Sequence, residues 1–260
     1  MAATRPPRRG DRAPSGYDAS AFPPFAVTVD MVILTLVGDQ LSVLLIRRHD
    51  DPFGGMWALP GGFKRPDETL DDAARRELHE ETGVSAPSHL AQLQAYGDPG
   101  RDPRTNVVTV AYLAVVRSVG ELLAGSDADE AALWPVADVV NGELELAFDH
   151  RRIVTDAVER ARTDLEHTSL ATAFVGPTFT LSELRTVFES VWETKLDPAN
   201  FRRALAASDQ VFVKPIGRRS EPGAAGGRPP ELFGATDAWR SGPPVKRPKL
   251  GRRTKRKGGS

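Results

Sequence analysis

The sequence predicts an α+β fold, a mixed sheet carrying helices, joined to a smaller basic unit built from short helices. Three observations predict it. β-Branched runs near residues 25–47 and 106–118 flank a helical stretch, so strands, a helix and strands follow one another. After about residue 168 the apolar spacing changes to short helical patterns followed by one brief strand. Charge also divides along the chain: residues 1–150 carry 13 Lys and Arg against 23 Asp and Glu, whereas residues 151–260 carry 21 against 12. An acidic part joined to a basic part predicts two tasks, one of them on nucleic acid.

Composition excludes several classes of protein. A chain of 260 residues, 40% hydrophobic and 27% charged, suits two soluble domains with a sizeable core. No apolar run approaches the roughly 18–20 residues of a membrane span, so no membrane partner is expected. The Arg-, Pro- and Ala-rich start, Met1 to Phe22, lacks the apolar core of a secretory signal, and a cytoplasmic protein is expected. Cysteine is absent, which removes disulfide frameworks, thiolate zinc sites and Cys nucleophiles.

Taken in order, residues 1–22 read as a disordered arm. VTVDMVILTLVGDQLSVLLI, broken at Gly38-Asp39-Gln40, reads as a hairpin. A loop rich in Gly and Pro spans Asp50 to Gly62, and a helix is predicted from Leu70 to Thr82, stopped by Gly83. Thr69 and Asp72 supply its capping box. Asn106 to Ser118 reads as a long strand and Asp149 to Leu165 as an amphipathic helix.

The helix at Leu70 carries the chemistry. At about 100° per residue, Leu70, Ala73 and Ala74 form one stripe, with Leu78 at its edge. Glu77 and Glu81 fall within that stripe and Glu80 at its other edge. A solvated acidic face would lie opposite. Carboxylates aimed inward must be paired, protonated or bound to cations. Arg76 is one available partner, but three glutamates against one arginine leave negative charge for a hard divalent cation.

The segment Gly62 to Val84, GFKRPDETLDDAARRELHEETGV, resembles the Nudix box, G-x5-E-x7-R-E-U-x-E-E-x-G-U with U aliphatic. Gly62, Glu68, Arg76, Glu77, Leu78, Glu80, Glu81, Gly83 and Val84 match it at all nine specified positions. The resemblance implies a hydrolase of nucleoside diphosphate derivatives using Mg2+ or Mn2+, held by Glu77, Glu80, Glu81 and the carbonyl of Gly61. It also implies that Arg76 orients the glutamates and that Glu68 steadies the loop. Trp57, in the lead-in WALPGG, is a candidate to stack a base or else a core aromatic. Arg101 and Arg104, in the loop GDPGRDPR, are candidates to meet phosphate or a terminal ribose, or are solvated. Among Asp127, Asp129 and Glu130 no choice of a general base is made. LAFDH, Leu146 to His150, resembles a signature of the ADP-ribose branch, and no catalytic role is read for His150.

In the basic part, helices are predicted over Leu181 to Trp192 and Pro198 to Ala207, joined by a turn at Lys195-Leu196, with Asp197 as N-cap. This is a helix-turn-helix outline. Phe201, Ala204 and Leu205 face inward; Asn200, Arg202 and Arg203 are candidate DNA contacts. A strand from Val211 to Ile216 and the segment GRRSEPGAAGGRPPELF fit a wing carrying Arg218, Arg219 and Arg228. The order of box, FTLSELRTVFESVW, DPANFRR and GRPPELF resembles the Nudix-related transcriptional regulators of NAD metabolism. That resemblance implies a sensor of ADP-ribose or a related nucleotide whose winged helix binds double-stranded operator DNA as a homodimer. Many such regulators have a degraded box, whereas this one is intact, so sensing and hydrolysis are expected to coexist. The alternatives are a plain ADP-ribose pyrophosphatase and an RNA-associated Nudix protein. The expected divisions are a Nudix domain at 23–167, a winged-helix domain at 168–240 and a basic disordered tail at 241–260, to whose cations salt-sensitive DNA affinity is assigned.

Overall fold

The computed structural model describes residues 16–84, 87–117, 128–206, 213–219, 229–236 and 245–248. Strand β1 (Ala26–Val37) turns at Gly38 into antiparallel β2 (Gln40–Arg48), with Leu34 opposite Val43 and Val37 opposite Gln40. Gly38 has a φ of 64°, a left-handed conformation that glycine adopts without steric cost. β3 (Trp57–Ala58) pairs with β2 and β4 (Gly61–Phe63) with β1, and helix α1 (Leu70–Thr82) follows. β5 (His89–Tyr96) is antiparallel to β6 (Val107–Val115), which lies parallel to β1, and β7 (Ala128–Pro135) returns antiparallel to β2. The parallel pair β1–β6 makes this sheet mixed.

The unbroken apolar run of β1 follows from burial on both faces. Val29, Met31 and Ile33 meet Ala73, Ala74 and Leu78 of α1, while Val32 and Leu34 face the other side. There they meet Ile153, Val154 and Ala157 of α3 (His150–His167), which follows the short helix α2 (Val136–Asn141). β6 repeats the alternation, with Tyr112 and Ala114 toward α1 and Leu113 and Val115 toward α3. Each large apolar side chain buried in this way contributes roughly 1.5–3 kcal/mol. The two central strands therefore set the platform on which the functional loops stand.

A 3-10 turn at Leu170–Ala173 leads to α4 (Leu181–Trp192), opened by a capping box between Thr180 and Glu183. α5 (Pro198–Ala206) and the hairpin of β8 (Val213–Arg219) and β9 (Glu231–Ala235) complete the second unit. Phe179 pairs with Phe233, so the chain entering α4 adds a third strand position to that hairpin. Phe188 of α4 packs edge-on against Trp192 and Phe201, at ring separations of 5.0 and 5.5 Å. Leu184, Val187 and Phe188 share one apolar cluster with Ile153, Ala161 and Leu165 of α3, so the second unit is built onto the first rather than tethered to it.

Parts of the expected arm and of the expected tail lie among the described residues. Within the expected arm, Asp18 caps a 3-10 turn at Ala19–Ala21 through its carboxylate and the Ser20 N–H. Within the expected tail, Val245 is buried in the main core and Arg247 bonds to α3. A lone apolar residue flanked by prolines and cations gives no periodic signal, so its burial was not legible locally. Val211, Phe212, Asp127 and Arg228 lie outside the described residues.

Candidate functional site

The predicted caps of α1 are present. Thr69 Oγ1 accepts from the Asp72 N–H at 3.1 Å, the Asp72 carboxylate accepts from the Thr69 N–H, and Gly83 ends the helix at φ 70°. Glu77 and Glu81 are buried beside Ala73, Ala74 and Leu78, as the helical phase requires, and Glu80 stands half-exposed. Arg76 gathers the carboxylates. Its Nε and Nη2 grip Glu68 at 3.0 and 2.7 Å, while Nη1 donates to Glu77 at 2.5 Å and to Glu80 at 3.0 Å. A further bond, from Nη2 to the Phe63 carbonyl at 3.1 Å, ties the preceding loop to the helix.

The electrostatics follow from these contacts. The Arg76 hydrogen bonds hold the Glu68 carboxyl at about 2, far below its ordinary range, and Glu68 in turn raises Arg76. Burial pushes Glu77 up, and the neighbouring Arg76 only partly offsets it. Two glycines let the loop lie against these groups. A Cβ at Gly62 would come within 2.4 Å of Glu77 Oε1, and one at Gly61 within 2.2 Å of the Val29 carbonyl.

Carboxylate oxygens are suitable donors for Mg2+ or Mn2+. Yet among the described residues no three acidic or histidine side chains are grouped so that they could hold a metal ion. Glu77 and Glu80 both turn to Arg76. The donor types fit a divalent cation, but the expected triad is not assembled in this arrangement, because the guanidinium occupies the carboxylates a cation would need.

Beside the box lies a cleft of about 280 Å³, with Gly61, Gly62, Glu81, Arg48, Arg104 and Phe148 among the residues that line it. Arg101 reaches it from the loop before β6 but is buried and already paired, to Asp149 at 2.6 and 3.1 Å and to Asp30 at 3.6 Å. Burial works against its charge, and Asp149 and Asp30 outweigh that effect and raise its pKa. Arg104 is 41% exposed; it grips Asp102 and lies 5.6 and 5.8 Å from the rings of Phe63 and Phe148. Of the two candidate arginines, both of which line the cleft, Arg104 is the more exposed and Arg101 is held in buried ion pairs.

Trp57 is elsewhere: it packs edge-on against Trp134 at 5.4 Å, next to the main core and outside the cleft lining, so the stacking expectation is not supported. Phe148 was missed as an individual residue, although its segment was singled out. It has a φ of 54°, and Arg48 lies 4.9 Å above its ring. A left-handed phenylalanine costs on the order of 1 kcal/mol and is a mark of a functional constraint. Asp30, Asp149 and Arg48 also escaped notice, since only the fold brings them together. For Asp129 and Glu130 the backbone of β7 alone is described.

His150 is structural. Its Nδ1 accepts the Leu59 N–H at 2.9 Å, leaving Nε2 as the donor, 3.7 Å from Asp30 Oδ2. Burial lowers its pKa below the ordinary 6.5. A histidine with a depressed folded pKa contributes stability that is fully present above 6.5 and declines as pH falls toward the folded value. Urea unfolding at pH 7.5 and 5.5 should therefore show lower stability at the acidic pH, and His150→Gln should flatten part of that dependence. An identical pH dependence in the two proteins would contradict the assignment.

The helix-turn-helix outline is also present. Glu193, at φ 53°, ends α4. The buried carboxylate of Glu189 then organises the turn, accepting from the Leu196 N–H at 2.8 Å and from Arg185 at 3.2 Å, with Lys195 at 3.5 Å. Nothing in the local pattern marked Glu189 for this role. Asp197 Oδ1 accepts from the Asn200 N–H at 2.8 Å, the predicted N-cap contact. Phe201 and Leu205 are buried, while Asn200, Arg202 and Arg203 are exposed on α5, with Arg203 donating to the Asn200 side chain. Arg218 is exposed on β8, and the backbone of Arg219 pairs with Glu231 across the hairpin.

Comparison with known proteins agrees with this division. Residues 24–157 match the NUDIX domain and residues 172–234 the NrtR DNA-binding winged helix domain. The chain is 34% identical over 221 residues to the ADPR responsive transcriptional repressor NtrR of Acinetobacter baylyi, covering 84% of each chain. It is 41% identical over 131 residues to the ADP-ribose pyrophosphatase of Methanocaldococcus jannaschii, covering 50% of this chain and 72% of that one. Shewanella oneidensis NrtR, solved in complex with a 27mer DNA, superposes with a TM-score of 0.68 at 32% identity, over 81% of this chain and 93% of that one.

Proposed function

Because the chain belongs to the Nudix family, in the branch that adds an NrtR-type winged helix, we propose that it is a repressor that releases double-stranded operator DNA when its Nudix cleft takes up ADP-ribose or a related nucleotide. The course of α3 carries this reading. The helix starts at the cleft, where Asp149 holds Arg101 and His150 holds the Leu59 N–H. Near its other end it is bonded to α4: Trp192 Nε1 donates to the Arg162 carbonyl at 3.0 Å, and Arg162 Nε donates to the Val191 carbonyl at 2.9 Å. At 1.5 Å per residue such a helix spans about 27 Å, enough to link a nucleotide site to a DNA-reading unit. A ligand can act through it only by binding the free and DNA-bound arrangements unequally.

In this reading Arg104 and Phe148 meet the nucleotide, and Asn200, Arg202, Arg203, Arg218, Arg219 and Arg228 meet DNA. The protein works in the cytoplasm as a homodimer, with half-sites about 34 Å apart on one face of the duplex. The Acinetobacter baylyi relative is an ADPR responsive repressor and Shewanella oneidensis NrtR is solved with a 27mer DNA, and the similarity to them over most of the chain supports a nucleotide and a DNA partner here.

Hydrolysis of the same nucleotide to AMP and ribose 5-phosphate is a second activity of the cleft, favoured by the intact carboxylate helix. Glu77, Glu80, Glu81 and the Gly61 carbonyl would hold Mg2+ or Mn2+, which when bound neutralises the pyrophosphate and lowers the pKa of water. For that, Glu77 and Glu80 must turn from Arg76, while Glu68 keeps Arg76 in place. Incubation of the purified chain with ADP-ribose and either metal, followed by quantification of AMP, tests it. We expect turnover that Glu81→Gln abolishes; no turnover with either metal, alongside measurable ADP-ribose binding, would reduce the domain to a sensor.

A further inference from the structure

Asp30 is the one acidic residue of β1, and the fold buries it to 7% exposure. It shares a face of the strand with Thr28, Val32 and Leu34, the last two packed toward α3. Backbone pairing fixes its place, opposite Gly61 of β4 on one side and Ala111 of β6 on the other. A Cβ at Gly61 would come within 2.8 Å of Asp30 Oδ1, so the carboxylate occupies room that only glycine leaves. Thr28, Asp30 and Gly61 all line the cleft.

In this setting the carboxylate is short of hydrogen-bond donors. Nε and Nη2 of Arg101 are bonded to Asp149, and Nη2 stands 3.6 Å from Asp30 Oδ2. His150 Nε2 stands 3.7 Å from the same oxygen. Both separations exceed a hydrogen bond, and among the described residues none donates one to the Asp30 side chain. Charge is out of balance as well. Asp30 and Asp149 face one guanidinium, Arg101, while burial lowers the pKa of His150 and keeps it neutral at neutral pH. A buried carboxylate left without donors is costly, and a ligand that supplies them recovers that cost.

The chemistry of the missing donor follows by elimination. A phosphate would be repelled. A divalent cation needs further acidic or histidine ligands, and among the described residues no group of three is placed to hold one. Neutral hydroxyls remain, and a cis-diol presents two of them to one carboxylate. We propose that Asp30 is a specificity-determining residue whose carboxylate accepts hydrogen bonds from the cis-diol of a ribose on the nucleotide in the cleft. Carboxylates take ribose hydroxyls in the same way in dinucleotide-binding folds. This role rests on the nucleotide-binding reading given above and falls to a residue that lies outside the box. Because Asp30 Oδ2 also faces Arg101 and His150, the sugar is read where α3 begins.

The test is isothermal titration calorimetry on the full chain, with EDTA present to prevent metal-assisted turnover. Three ligands are compared: ADP-ribose, ADP, which lacks the terminal ribose, and an ADP-ribose analogue without the 2′-hydroxyl of its adenosine. A hydrogen bond to a charged acceptor changes affinity by roughly ten- to 150-fold. We expect Asp30→Asn, verified as folded by thermal melting, to bind ADP-ribose more weakly than the wild type by about that factor. If the terminal ribose is read, the substitution weakens the analogue equally and leaves ADP unaffected. If the adenosine ribose is read, ADP weakens along with ADP-ribose and the analogue loses less. Either pattern supports the assignment. Wild-type affinity for all three ligands would overturn it, and so would an equal loss on all three, which marks a structural role. Should Asp30→Asn fail to fold, the wild type alone decides: binding ADP and the analogue as tightly as ADP-ribose would mean that neither ribose is read. If the wild type binds none of the three, the nucleotide-binding reading fails instead.

Discussion

Replacing Arg76 with alanine is expected to lower the stability of the protein by about 2–3 kcal/mol and to abolish hydrolysis. Among the described residues Arg76 is the only cation bonded to both Glu68 and Glu77, and its removal leaves the buried Glu77 carboxylate facing two other carboxylates. Breaking a buried ion pair by deleting one partner costs about 3–5 kcal/mol, and the half-exposed Glu80 brings the expectation to the lower end. The double variant Arg76→Ala/Glu77→Gln should recover part of the loss, because the buried charge is gone. Urea unfolding at pH 7.5 measures both. An Arg76→Ala protein as stable as the wild type would mean that the glutamates are balanced by something other than this guanidinium.

Replacing Arg202 and Arg203 together with alanine is expected to erase sequence preference on DNA while leaving weak general affinity. Both are exposed on α5, and Phe201 and Leu205 fix the helix's other face in the core. A well-placed arginine–guanine contact discriminates by about 1–3 kcal/mol, so two of them account for most of the difference between operator and bulk DNA. Phosphate contacts elsewhere would persist, since they carry no sequence information. Footprinting against a scrambled competitor tests this directly: a double variant that protects the same operator would move the recognition surface away from α5.

The segments that could be read from the sequence are those whose signals are local. The hairpin at Gly38 was marked by two apolar runs around a turn, and the start and end of α1 by Thr69, Asp72 and Gly83. The span Leu181–Trp192 followed from its apolar period, and α5 from its Asp-Pro start. β5 was not read, because HLAQLQAY is half-polar, carries a bulge between Gln92 and Ala95, and is a strand only by pairing with β6. β3 and β4, of two and three residues, have too few side chains to show a period. In the site, helical phase placed Glu77 and Glu81 inward correctly. It could not show that Arg76 would hold Glu77 and Glu80, that Trp57 would turn to Trp134, or that Phe148 and Arg104 would share a wall of the cleft. Those are long-range contacts, and the burial of Val245 belongs with them.

In the proposed function, occupancy of the Nudix cleft, rather than catalysis, sets DNA affinity through α3. The most direct measurement titrates ADP-ribose into Glu81→Gln protein bound to its footprinted operator and follows the complex by gel shift. Glu81→Gln removes turnover as a variable while leaving Arg104 and Phe148 in place. Saturating ADP-ribose is expected to weaken operator binding by about 1–3 kcal/mol, five- to 150-fold, and operator DNA to weaken ADP-ribose binding by the same factor. An operator affinity that stays unchanged when ADP-ribose is shown by calorimetry to fill the site would contradict it.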